Sequence, residues 1–195
     1  MEIIKEFFTE LDKNWPLAAA EKVQLRVIGS AALMLGTGYS RGTKDSDILE
    51  TAAIAGDVRR ELLALAGRGS VLAVKYRLYL DIVGHAIPFL PQRPNFKPAG
   101  LARLKHFEVV VLDVTDVVVS KLKRFSANDA ADIRAMAERG LLQPAALAAR
   151  FQAAADAFSI DARAEDLPKY VRNLHSVERD FLGVPESDIR LADWL

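Results

Sequence analysis

The chain has 195 residues, 51% of them hydrophobic, with 26 Lys+Arg against 26 Asp+Glu; it can bury the core of one domain, alone or with a helical extension, and its overall charge draws it neither to nucleic acid nor to an anionic membrane. The absence of cysteine excludes disulfides and thiolate-bound zinc. The opening MEIIKEFF lacks the basic, apolar and small-residue order of a secretory leader, and every apolar run is far shorter than a bilayer span, so a cytoplasmic location without membrane contact is expected.

Ile3, Ile4, Phe7, Phe8 and Leu11 recur at helical spacing and predict an amphipathic helix over residues 2–12, ending near Asn14-Trp15-Pro16. QLRVI (24–28) reads as a strand and SAALML as a short helix, after which glycines 36, 38 and 42 mark a loop. DILET reads as a second strand, GDVRRELLALAG as a helix closed by Gly67, and LYLDIV as a third strand. Pro88, Pro91, Pro94 and Pro98 make the stretch from 88 to 100 extended or looped. FEVVVLD is a further strand, and from Thr115 onward the pattern is helical, with Gly140 and Pro144 separating two helices. The expected fold is α/β (α+β): a small mixed sheet flanked by helices in residues 1–113, followed by a helical part, 114–195, packed on it.

The stretch RVIGSAALMLGTGYSRGTKDSDILE raises a chemical expectation. A strand that ends in Gly29-Ser30 and turns at once into a helix presents backbone N–H groups and a hydroxyl where the helix dipole favours an anion. In a strand alternate side chains share a face, so Asp45 and Asp47 project together and offer carboxylate oxygen to a hard cation. A triphosphate uses both features, because donors hold its oxygens while a metal offsets its charge.

These residues carry a resemblance. IGSAALML followed by RGTKDSDIL resembles the signature of the nucleotidyltransferase superfamily, the polymerase-beta-like palm, in which Gly-Ser precedes an Asp-x-Asp on the next strand. With Arg41 and Thr43 just ahead of the carboxylates, the chain is similar to bacterial nucleotidyltransferase-like proteins that include abortive-infection toxins of toxin-antitoxin systems. The resemblance implies a third carboxylate on a later strand, where Asp81 in YLDIV fits. DVVVSKLKRFSANDAADI resembles the helical part of the same proteins, with Lys121, Arg124 and Asp132 at the matching positions. It covers about residues 20–140; the helices beyond carry no assignable motif. Fourteen residues separate Ser30 from Asp45, slightly more than the commoner spacing, and the extra length sits in the loop GTGYSRGT.

The resemblance also implies an activity: transfer of a nucleoside monophosphate from a nucleoside triphosphate to an acceptor hydroxyl on transfer RNA, another RNA, a protein or a small molecule. Asp45, Asp47 and Asp81 would hold Mg²⁺ or Mn²⁺, with Asp81 beside the acceptor. Gly29, Ser30, Arg41, Thr43 and Lys121 would face the phosphates, and Arg124 with Asp132 would support them. The toxin branch would add an antitoxin protein as partner. The alternative is a catalytically silent module that keeps the fold and binds a nucleotide or a partner.

Taken singly, each element has a structural reading: Gly29-Ser30 as a capped turn, Asp45-Ser46-Asp47 as a solvated turn, Lys121 and Arg124 as the wet side of a helix. Their joint occurrence in chain order favours a site. No zinc-like spacing links His85, His106 and His175, which read as structural, His85 being close enough to Asp81 to neighbour a site; Trp15 and Trp194 read as packing anchors.

Overall fold

Ile4, Phe7, Phe8 and Leu11 are buried along one side of α1 (Glu2–Lys13), the outcome their spacing dictates. The structure, a computed structural model, describes residues 2–17, 21–40, 45–101 and 103–192. It forms two units, one of Met1–Ile87 with Phe96–Leu112 and one of Pro88–Asn95 with Asp113–Leu195.

In the first unit β1 (Val23–Val27) buries Val23, Leu25 and Val27 and turns Gln24 and Arg26 to the other face. It runs into α2 (Gly29–Thr37), which continues through Gly36 where a loop was expected. A side chain at 36 would begin 3.4 Å from Val111, so the glycine lets the helix lie close on the sheet. The chain stops at Gly38, whose left-handed φ of 68° closes the helix. Next come β2 (Asp45–Leu49), α3 (Gly56–Ala66), α4 (Val71–Tyr76), β3 (Tyr79–Val83), β4 (Phe96–Pro98) and β5 (Phe107–Leu112). Strand β2 begins two residues earlier than the apolar run DILET suggests, which places both of its aspartates in the ladder.

The five strands make one mixed sheet ordered β3-β2-β1-β5-β4, with β1/β2 and β4/β5 antiparallel and β1/β5 and β2/β3 parallel. Trp15 packs edge-on against Phe107, ring centroids 4.8 Å apart, the anchoring expected of it. Trp194 lies outside the described residues. Asp12 fixes the end of α1: its carboxylate accepts the backbone N–H groups of Lys105, His106 and Phe107 at 2.8, 2.7 and 3.2 Å.

The second unit is helical: α5 (Val114–Leu122), α6 (Ala127–Glu138), α7 (Pro144–Phe158) and α8 (Leu167–Val177), the last widening into a π-helical turn over Glu178–Leu182. Asp113 caps α5, a Ser126/Asp129 capping box opens α6, and Pro144 begins α7, where its missing N–H costs nothing. The proline-rich segment joins this unit through Phe89, fully buried against Phe151, Phe158 and Tyr170 with ring centroids 5.3, 5.5 and 5.2 Å away. The buried Asp116 holds the same segment, taking Arg150 through two bonds of 2.6 Å and the Asn95 N–H at 2.7 Å. Among the described residues no helix is long and apolar enough to cross a membrane.

Removing one partner of a buried ion pair strands the other charge. Arg150→Met should therefore destabilise the helical unit by about 3 kcal/mol, and Asp116→Leu/Arg150→Met should recover much of that loss. Denaturant unfolding of the two variants beside the wild type checks the order.

Candidate active site

Parallel pairing sets Asp47 directly across from Asp81 and Asp45 across from Tyr79. Partners in register share a face, so Asp45, Asp47 and Asp81 all lie on the side opposite Leu80, Ile82, Ser46 and Ile48, which point into the core. Neighbouring strands lie about 4.8 Å apart and alternate residues about 6.7 Å, so three carboxylates crowd a small area of one sheet face.

Gly29 closes this area from the β1 side. The Ile28 N–H donates to the Asp47 carbonyl at 2.9 Å, which carries the β1/β2 ladder to the first turn of α2. Gly29 then adopts φ 65°, and a Cβ on it would meet Asp47 Oδ2 at 3.2 Å. Glycine is needed there twice over, for the backbone angle and for the space the carboxylate occupies. Residue 28, an isoleucine, places no side-chain cap on the helix start, and Ser30 stands in the first turn beside Gly29. Arg41 and Thr43 lie outside the described residues.

The sheet face holds groups that the sequence reading left out. Arg26 pairs with Leu49, two residues from Asp47, and so shares the face of the carboxylates. Its guanidinium sits 5.4 Å from the centre of the Phe96 ring and donates to Gln24 at 2.9 Å, while Gln24 donates to Glu108 at 2.9 Å. Tyr79, opposite Asp45, accepts a 2.6 Å hydrogen bond from Arg68, whose guanidinium also stacks 4.7 Å over its ring. The alternation in VQLRV, polar residues between buried ones, was the signal for Arg26; Arg68 and Phe96 had none, because only the folded chain brings them near. His85 is exposed and lines a shallow cavity of about 730 Å³ with Glu50 and Arg59, which are ion-paired, beyond the last residues of β2 and β3.

Lys121, Arg124 and Asp132 are gathered within the second unit. Lys121 Nζ lies 3.0 Å from Asp129 Oδ1 and 2.8 Å from Asp132 Oδ2, and all three groups are buried. Arg124 meets Asp129 through two bonds of 2.7 and 2.9 Å, and the Ser126 hydroxyl donates to the same carboxylate at 2.7 Å. Burial by itself would raise the pKa of Asp129, but the bonds from Arg124 and Ser126 and the Lys121 charge prevail and hold it well below the usual carboxylate range. Asp129 was not singled out from the sequence, although Ser126-x-x-Asp129 ahead of an apolar-spaced run is a capping signal.

The donor set on the sheet face is carboxylate oxygen, the chemistry of a hard divalent cation. Among the described residues no three acidic or histidine side chains are grouped closely enough to hold a metal ion by themselves. Magnesium is commonly held by one or two carboxylates with water and substrate phosphates, so an open set beside a helix start suits it. The position of Gly29 brings Asp47 Oδ2 close to the first residue of α2.

A mixed sheet with paired carboxylates on one face and a Gly-Ser helix start beside them defines a nucleotidyltransferase-type palm. The chain belongs to the family described as "Nucleotidyltransferase of unknown function", DUF6036, whose model matches residues 4–179 and so takes in the carboxylate face and the Lys121 cluster alike. No curated protein and no solved structure matches the chain.

Two outcomes follow from this geometry. Gly29→Ala should cost about 2 kcal/mol through its left-handed backbone and its clash with Asp47, and Gly29→Ala/Asp47→Ala should relieve only the clash; unfolding midpoints of both variants check it. Because the folded-state pKa of Asp129 is depressed, its stabilisation is fully present above the unfolded value of about 4 and is lost as pH falls below it. Acid titration of stability should therefore be shallower for Asp129→Asn than for wild type.

Proposed function

We propose that the protein transfers a nucleoside monophosphate from a nucleoside triphosphate to an acceptor hydroxyl, with Asp45, Asp47 and Asp81 holding Mg²⁺ or Mn²⁺. The observation that carries this reading is the register that sets Asp47 against Asp81, with Asp45 on the same face and Gly29 packed against Asp47. The family description supports the reaction class.

In this reading the backbone N–H groups at the start of α2 and the Ser30 hydroxyl bind the distal phosphates, and Arg41 and Thr43, which precede Asp45 in the sequence, are assigned to the same phosphates. The three carboxylates would hold the divalent cation that the triphosphate oxygens need in order to approach this acidic face. Asp81 accepts the proton of the acceptor hydroxyl as its oxygen bonds to the α-phosphorus; the bond from that phosphorus to the bridging oxygen breaks, and pyrophosphate leaves. The metal, when bound, offsets charge on the phosphoryl oxygens. Lys121, held by Asp129 and Asp132, is assigned to fastening α5 to α6, with Arg124 adding a second cation to Asp129. An RNA, a protein or a small molecule supplies the acceptor hydroxyl, and a toxin role would require an antitoxin protein that blocks this face.

Incubation with each labelled nucleoside triphosphate, Mg²⁺ and total cell RNA or protein tests the proposal. Label should enter one fraction, and Asp45→Asn/Asp47→Asn should reduce the transfer at least about a hundredfold, the loss of about 3 kcal/mol of transition-state stabilisation. Equal labelling by that variant, or no labelling of any fraction, would overturn the assignment.

A further inference from the structure

A second charged site lies at the other end of β1. The last turn of α1 and the loop leading into β5 enclose a cavity of about 520 Å³ lined by Lys13, Arg103, Lys105, His106, Leu101 and Leu104. Its volume is that of a small-ligand site. The Val23 N–H donates to the His106 carbonyl at 2.8 Å, which ties the loop to the first residue of β1, whereas Gly29 follows the last. The strand's length, about 20 Å from Val23 to Gly29, separates this cavity from the carboxylate face.

The acid in its wall is Asp12, and Asp12 is occupied. Both of its carboxylate oxygens accept backbone N–H groups, from Lys105, His106 and Phe107, and the residue is 7% exposed. Asp12 therefore fixes the loop that displays the cations, and its oxygens are taken up by backbone N–H groups rather than by the cationic side chains. Among the described residues Arg103, Lys105 and His106 make no ion pair and no side-chain hydrogen bond, and Lys13 reaches only Glu10, at 3.8 Å. Three cations, Lys13, Arg103 and Lys105, around the one carboxylate of the lining leave an excess of positive charge that an anion relieves. Arginine beside lysine suits phosphate oxygens, and the two leucines give a sugar or base an apolar surface.

We infer that this cavity binds the phosphate of a nucleotide unit, either free or within an RNA strand. The inference stands on the cavity's own residues and does not depend on the proposed transfer reaction. The probe is a fluorescent, short single-stranded RNA, followed by anisotropy in the presence of EDTA so that metal-dependent binding at the carboxylates makes no contribution. Wild type should bind it, Arg103→Ala/Lys105→Ala should weaken binding at least about tenfold and flatten the salt dependence, and Asp45→Asn/Asp47→Asn should bind as wild type does. Both substituted residues are exposed and unpaired, so the variant should unfold at the wild-type midpoint or above it. Competition by a nucleoside monophosphate identifies a site for the free nucleotide; competition by unlabelled RNA alone identifies a strand site. Absence of binding by wild type, unchanged binding by Arg103→Ala/Lys105→Ala, or equal displacement by polyglutamate would overturn the inference.

Discussion

The parallel register of β2 on β3 is the constraint on which the first unit depends. The pairing that sets Asp47 opposite Asp81 also sets Ile48 opposite Ile82 and Ser46 opposite Leu80 on the buried face. A slip of one residue would turn the carboxylates into the core and the isoleucines outward, so the hydrophobic effect locks the acids together although they repel. The antiparallel pairing of β1 on β2 then brings Gly29 against Asp47, and the left-handed turn there aims the start of α2 at the carboxylates.

The second unit treats charge differently. Three of its buried acids meet a cation within 3.0 Å, Asp116 with Arg150, Asp129 with Lys121 and Arg124, and Asp132 with Lys121, while the buried Glu178 accepts the Ser187 N–H and hydroxyl. Such pairs fix helix against helix because separating them would leave a charge in a poorly polarisable interior. On the sheet face Asp45, Asp47 and Asp81 are gathered on adjacent strands, with Arg26 on the neighbouring strand of the same face.

Much of this was legible in the sequence, and what escaped it has physical causes. The period in α1, the alternation in β1 and the order Gly-Ser, Asp-x-Asp, Asp announced the mixed fold, the family and the candidate face, because all are local patterns. Helix α4 is six residues long and β4 three, too short for a period to show. Gly36 reads as a loop signal in a sequence, and only the proximity of Val111 shows it as a contact glycine. The membership of the proline-rich segment in the helical unit rests on Phe89, whose partners Phe151, Phe158 and Tyr170 are more than sixty residues away in the chain. Arg26 over Phe96 and the pinned loop beyond Asp12 are likewise products of tertiary contact.

The central claim is that Asp45, Asp47 and Asp81 form one metal and triphosphate site, and ligand-induced thermal stabilisation tests it most directly. Mg²⁺ with a nucleoside triphosphate should raise the melting temperature of the wild type, because a ligand that binds only the folded state stabilises it by mass action. Asp45→Asn/Asp47→Asn/Asp81→Asn should show no shift with the same ligands. A triple variant that retained the full ligand-induced shift would contradict the account.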